Sequence, residues 1–177
     1  ALVTDDTPFD PHTLYGSYKV ANELAARVYA ADHGLATIGL RPHTLYGPGR
    51  DQGLTSQPTQ AIGAALRGEA YAIEYGGSMG FQFAPDVARW FLAAVRAEPD
   101  GAAVYNLGGT VASVTAFVDA IDRAIPGAGS NITVGLDPLA FPIGCMDASL
   151  RARLGDLTET SLVDGVAATA AVLGRSI

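Results

Sequence analysis

Within residues 12–33 three large apolar side chains recur four positions apart, and a short apolar run follows almost at once. This pairing most constrains what the chain can fold into. Val20, Leu24 and Val28 repeat with Ala21 and Ala25 alongside, which lines one face of an α-helix. Gly34 can take the left-handed conformation that ends a helix, and His33 suits the negative end of the helix dipole. Residues 35–40 are mostly apolar and bounded by Gly34 and Pro42, so they read as a buried parallel strand. A helix feeding directly into such a strand is the unit of a doubly wound α/β fold.

The rest of the chain keeps that rhythm. Residues 41–56 read as loop, and Pro58 opens a helix that Gly68 stops. A strand is expected at 71–75, a turn at Gly76-Gly77, and a brief extended piece where Phe81 and Phe83 alternate with Gln82. From Pro85 an amphipathic helix places Val87, Trp90, Phe91, Ala94 and Val95 on one face. A strand at 104–107 ends in Gly108-Gly109. A second amphipathic helix, capped by Ser113, carries Val114, Phe117, Val118, Ile121 and Ile125. A short strand at 131–134, a proline-rich loop at 137–143 and helices at 147–154 and 161–173 complete the reading. The polar first eleven residues read as irregular.

Composition narrows the partners. With 49% apolar residues, 177 residues suffice for one core. No apolar run approaches the roughly 18 residues of a membrane helix, and the first residues have no signal-peptide character. A net charge of -7 disfavours nucleic acid and anionic membrane surfaces as partners. Cys145, the single cysteine, rules out an internal disulfide and reads as a small, partly buried thiol. No metal site is expected. These features suggest a cytoplasmic protein.

The chemistry is concentrated in Tyr15-Gly-Ser-Tyr-Lys19. A spacing of four puts Tyr15 and Lys19 on one helix face. A tyrosine ionises near pH 10, and an adjacent ammonium favours the phenolate, so Tyr15 can exchange a proton with a substrate hydroxyl nearer neutral pH. Lys19 is the only lysine among 11 basic residues. Alone, the pattern also describes an ordinary exposed pair on an amphipathic helix.

Three further segments give the pair its context. They are Arg41-Pro-His-Thr-Leu-Tyr-Gly-Pro-Gly-Arg50, Phe83-Ala-Pro-Asp-Val-Ala88 and Val104-Tyr-Asn-Leu-Gly108. With the run from Tyr15 to Glu23, and in this order, they resemble the signatures of the extended short-chain dehydrogenases/reductases, the NAD-dependent epimerase/dehydratase kind. The resemblance covers essentially the whole chain, most firmly residues 8–125. It implies the carboxyl-terminal part of a Rossmann-like doubly wound parallel sheet plus a small α/β substrate-binding lobe. Residues of about 1–56 and 82–110 would supply Rossmann-like elements, and about 57–81 and 111–177 the lobe. Tyr15 would be the acid/base, and Lys19 would bind the nicotinamide ribose. Pro42 and His43 would lie beside the nicotinamide of NAD or NADP. Arg50, Gln52 and Ser56 are candidate contacts for a sugar-like small-molecule substrate.

The resemblance also implies a glycine-rich strand-turn-helix that holds the cofactor's pyrophosphate. These 177 residues contain none, so the amino-terminal dinucleotide-binding half is expected to be absent. Gly47, Gly49 and Gly53 imitate a glycine fingerprint but lie in a loop with Pro48. Thr4 and Thr7 are poor substitutes for the family's catalytic Ser/Thr. Nucleotide-sugar epimerases commonly carry an arginine where Met79 stands here, and methionine cannot make a charge-assisted contact to phosphate. Two functions remain open. One is an NAD(P)-dependent oxidoreductase or epimerase/dehydratase. The other is a non-enzymatic lobe that binds a ligand, a second copy or a complementary amino-terminal half.

Overall fold

The structure is a computed structural model and describes residues 2–155 and 157–175. Strand β1 is Leu2–Val3, helix α1 is Leu14–His33, and strand β2 is Thr37–Arg41. Strand β3 (Thr44–Tyr46) and helix α2 (Gln57–Leu66) follow, then strands β4 (Tyr71–Ile73) and β5 (Ser78–Phe83). Helix α3 is Ala84–Arg96, strand β6 is Ala102–Asn106, strand β7 is Thr110–Ser113 and helix α4 is Val114–Ala124. Strands β8 (Ile132–Val134) and β9 (Gly144–Cys145) precede helices α5 (Ala148–Leu154) and α6 (Leu162–Leu173). The expected α/β class and the order of the main helices are found.

Local signals set these boundaries. Thr13 caps α1 by accepting a hydrogen bond from Gly16 N–H, and Gly34 ends the helix with φ of 65°. Ser113 caps α4 by accepting from Ala116 N–H, as expected. Pro58 and Pro85 each sit in the first turn of their helix, where a missing N–H costs nothing.

The strands at residues 37–41 and 102–106 pair in parallel, Thr37 with Ala102 through Arg41 with Asn106. Leu40 and Tyr105 pack against a core of Val87, Trp90, Leu107, Leu150 and Leu157. Arg41, one residue on, points to the opposite face and meets Glu23 of α1. The pair of strands is thus sandwiched between α1 on one face and α3 with α5 on the other. Expected as buried, β2 is only half-buried. Its face toward α1 is thinly covered, because α1 has no fully buried residue and Leu24 and Val28 stay exposed. The Val20–Leu24–Val28 stripe therefore does not close a core among the described residues.

A larger core joins β3, β5 and β7 to α2, α4 and α6. Here β3 runs parallel to β5, and β5 antiparallel to β7. Tyr46, Phe81 and Phe117 form an aromatic cluster, with Tyr46 edge-on to Phe117 at 5.1 Å between ring centroids. Gly165 of α6 lets the helix close on this cluster. A Cβ built there would lie 2.0 Å from the Tyr46 hydroxyl oxygen.

Three expectations need correction. Leu2–Val3 is a strand, paired in parallel with Gly144–Cys145, not irregular chain. Residues 41–56 are not all loop, since Thr44–Tyr46 pairs with Phe81–Phe83. The inward stripe of α3 is narrower than expected: Val87, Trp90 and Ala94 are buried, but Phe91 is exposed and Val95 is 81% exposed. Short strands carry too little periodicity to be told from loop, and a helix stripe is only as wide as the surface it meets.

Candidate active site

Only three residues separate the end of α1 from the start of β2, so the chain reverses and the first turns of α1 lie toward the carboxyl end of β2. Glu23 marks the register by pairing with Arg41, the last residue of that strand. Lys19 and Tyr15 come four and eight residues earlier, about 6 and 12 Å further along the helix axis at ~1.5 Å per residue. They therefore stand beyond the carboxyl end of the strands, where open α/β sheets place their ligands. Both side chains are exposed. Lys19 Nζ lies 5.2 Å from the centroid of the Tyr15 ring, a cation–π distance. Tyr18 faces solvent one position before Lys19.

The carboxyl end of β2 is densely bonded. Arg41 Nε and Nη2 donate to the two carboxylate oxygens of Glu23, at 2.8 and 2.7 Å. Arg41 Nη1 donates to the Asp5 carbonyl at 3.0 Å and to Asn106 Oδ1 at 3.3 Å. This bonding to Glu23 raises the arginine's proton affinity further. Pro42 is exposed beside it. His43 N–H donates to Gln82 Oε1 at 2.8 Å. Its ring Nε2 lies 2.7 Å from the Pro142 carbonyl, which can only accept, so Nε2 carries a proton. Nδ1 lies 3.1 Å from Thr44 Oγ1, and Phe141 packs edge-on at 5.5 Å. Both ring nitrogens of His43 are thus engaged by the protein.

The three candidate substrate contacts share one loop. Arg50 donates to the Gln52 carbonyl at 2.7 Å and to Thr55 Oγ1 at 2.8 Å. These are neutral acceptors that orient the guanidinium and leave its charge uncompensated by either of them. Gln52 is exposed. Ser56 is buried, donating to the Gly53 carbonyl and accepting from Gln60 Nε2. Its hydroxyl shapes the loop. Met79 is buried in the larger core, so its position offers no polar contact.

Several key residues were not legible from the sequence. Gln82, read only as part of a brief extended piece, is 2% exposed. Its amide nitrogen donates to the carbonyls of Leu107 (2.8 Å) and Gly108, while its oxygen holds His43 N–H. Asp86 reads as a residue placed by the helix dipole, but it is buried and bonded to Thr160 and Arg89. Asp5 accepts from Asn106 N–H and Ser149 Oγ, tying the first residues to β6 and α5. Cys145 is half-buried, and burial pushes its thiol above the ordinary range, which disfavours a reactive thiolate. Among the described residues, no group of three or more His, Cys, Asp or Glu is placed to hold a metal, and no helix is long and apolar enough to cross a membrane.

A tyrosine–lysine pair thus stands on a helix over the carboxyl ends of a parallel pair of strands, in a doubly wound α/β arrangement. Comparison with known proteins agrees. The NAD dependent epimerase/dehydratase family matches residues 2–108, and the chain belongs to that family. MoeE5, solved with UDP-glucuronic acid and NAD, is 27% identical with a TM-score of 0.84. The match covers 99% of this chain and 60% of MoeE5. A UDP-glucuronic acid 4-epimerase from Bacillus cereus, solved with NAD, superposes with a TM-score of 0.79 at 22% identity, over 98% of this chain and 54% of that one. A monomeric L-threonine 3-dehydrogenase from metagenome sequences gives 0.86 at 18% identity, over 99% and 60% of the two chains. The last two show the shared Rossmann-like fold alone. A 37.6 kDa protein of Escherichia coli O111:H- is 49% identical over 45 residues, which is 25% of this chain and 14% of that protein. The chain therefore spans well under two thirds of the length of these relatives.

Proposed function

We propose that this chain is part of an NAD- or NADP-dependent epimerase/dehydratase or dehydrogenase. It would act on a hydroxyl or carbonyl of a sugar-like small molecule, with Tyr15 as acid/base and Lys19 as its partner. The observation that carries this reading is the Tyr15–Lys19 pair itself: adjacent, exposed and beyond the carboxyl ends of β2 and β6. The exposed phenol and ammonium, with Pro42 beside the strand end, fit the nicotinamide-ribose end of such a cofactor. Among the described residues nothing fits the pyrophosphate. MoeE5, the relative at 27% identity, was solved with NAD and with both UDP-glucuronic acid and UDP-glucose, which favours a sugar-like substrate.

When bound, the nicotinamide cofactor accepts or returns a hydride at the substrate carbon. The chain's own residues handle the proton. Tyr15 Oη takes it from the substrate hydroxyl as the carbonyl forms, and gives it back in the reverse step. The Lys19 ammonium stabilises the phenolate through its charge and would be the group to hold the cofactor's ribose. Arg50 and Gln52 would meet polar groups of the substrate, with Ser56 supporting their loop. The arrangement serves an epimerase, a dehydratase and a dehydrogenase equally.

In the full-length protein, Tyr15→Phe should lower turnover by about 10²–10⁴-fold, the usual contribution of general acid/base catalysis. Folding, read by circular dichroism, should stay unchanged. Tyr18→Phe should matter little. Wild-type turnover in Tyr15→Phe would return the pair to an ordinary exposed helix motif.

A second reading, a lobe that docks a complementary amino-terminal half or a second copy, is favoured by the exposed Leu24, Val28, Leu92 and Val95. Calorimetric titration of the 177-residue chain with NAD should give binding weaker than micromolar. Micromolar or tighter binding would show that the chain needs no such half to hold the cofactor.

A further inference from the structure

Glu23 follows Lys19 by one helical turn on the same face of α1. On an isolated helix its carboxylate is the natural partner of the Lys19 ammonium. Here it is taken. Both oxygens of Glu23 accept from the Arg41 fork, at 2.8 and 2.7 Å, and the two side chains are only 23% (Arg41) and 18% (Glu23) exposed. Among the described residues Lys19 makes no ion pair, and its Nζ lies over the Tyr15 ring instead.

We propose that Arg41 is a positioning residue for the Tyr15–Lys19 pair. By holding Glu23 it keeps that carboxylate off Lys19 and leaves the ammonium's charge directed at Tyr15. The inference rests on Tyr15 being the acid/base. Arg41 prevails over Lys19 for physical reasons. Its planar fork meets both carboxylate oxygens at once, which an ammonium cannot do. It is also held in place from elsewhere, by the Asp5 carbonyl, Asn106 Oδ1 and the Phe9 ring at 5.2 Å. An exposed Lys19–Glu23 pair would have to order two long side chains in water for little return.

Of the other charges, Asp6 and Arg27, the latter one helical turn beyond Glu23, are exposed. The Asp5 carboxylate is bound to Asn106 N–H and Ser149 Oγ. Cys145, near Arg41, is half-buried, and burial pushes its thiol up. Asp10, just before the helix, pairs with His12 at 3.2 Å, with both side chains in solvent. Besides Glu23, the only acidic residue of α1 is Asp32, more than three turns beyond Lys19. Glu23 is therefore the carboxylate able to capture Lys19 once Arg41 is removed.

The test is a double-substitution cycle on the pH dependence of kcat/KM in the full-length enzyme. Arg41→Met should move the limb set by the acid/base toward higher pH by about 0.2–0.4 pH unit, the scale of an exposed i,i+4 charge pair. Arg41→Met combined with Glu23→Gln should bring it back, since no carboxylate is left to draw Lys19 away. Glu23→Gln alone should leave the limb in place. A purely structural role for Arg41 predicts no restoration in the double variant. In parallel, NMR of [15N]lysine-labelled protein, with the Lys19 signal assigned by Lys19→Arg, should show the Lys19 Nζ resonance displaced in Arg41→Met and restored in the double variant. If Arg41→Met does not fold, Arg41→Lys replaces it, with a smaller shift in the same direction. An unmoved profile, or an alkaline shift that persists in the double variant, overturns the inference. Active Tyr15→Phe enzyme would overturn the acid/base reading instead, so the two failures are distinguishable.

Discussion

The buried carboxylate of Asp86 accepts two hydrogen bonds from Thr160, 74 residues further along the chain: Oδ2 from the backbone N–H at 2.6 Å and Oδ1 from the hydroxyl at 2.9 Å. Arg89, one turn along the same helix, adds a charged contact from a side chain that is 55% exposed. The arrangement fastens the segment leading into α6 onto the first turn of α3. It ties α3, which carries part of the smaller core, to α6, which carries part of the larger one.

Asp86→Ala should therefore destabilise the protein by about 2–3 kcal/mol, the scale of losing hydrogen bonds to a buried charged group. Arg89→Met should cost under about 1 kcal/mol, because its side chain is largely in water. Thermal unfolding followed by circular dichroism separates the two, at roughly 2–4 °C per kcal/mol for a chain of this size. Equal losses from both substitutions would mean that the ion pair, not the Thr160 clamp, carries the effect.

Gln82 links the strand end that bears His43 to the Leu107–Gly108 turn. Gln82→Leu keeps the side chain's bulk and leaves two carbonyls and one N–H without their buried partner. A cost of about 1–3 kcal/mol is expected, together with faster amide exchange at His43. Hydrogen exchange measured residue by residue would show it. Unchanged protection at His43 would contradict this role for the glutamine.

Burial raises the phenols of Tyr46 and Tyr75 above the ordinary value of 10.0. Asp86 and Asp164 push Tyr46 further in the same direction, while nearby Arg50 partly opposes the rise at Tyr75. A phenol held neutral in the folded state but free to ionise in the unfolded chain stabilises the fold fully below pH 10. That contribution is lost as pH rises above 10. Of the seven tyrosines, these two should contribute tyrosinate absorbance only as the protein unfolds. Spectrophotometric titration alongside circular dichroism checks this, and ionisation of both at pH 10 in folded protein would refute it.

Much of the architecture was legible because it is local. The long helix at Leu14–His33, its glycine stop, the serine cap of α4 and the prolines opening α2 and α3 each follow from one or two residues acting on nearby backbone. Leu2–Val3, Thr44–Tyr46 and Gly144–Cys145 were not legible as strands. Two or three residues contain no period to read, and their strand character comes from a partner far along the chain.

The candidate site divides in the same way. The sequence by itself determined that Tyr15 and Lys19 share a helix face, because a four-residue spacing on a helix leaves no choice. It also determined that Arg41, Pro42 and His43 end a strand. Only the tertiary structure decided which carboxylate each cation meets. Glu23 lies one helical turn from Lys19 on its own helix and much farther along the chain from Arg41, yet it goes to Arg41 on the neighbouring strand. Gln82, between Phe81 and Phe83, is buried because both sides of its strand are covered. Periodicity reports the surface a segment offers. It does not report what the rest of the chain places against it, and partner choice among charges depends on burial and geometry that exist only once the elements have packed.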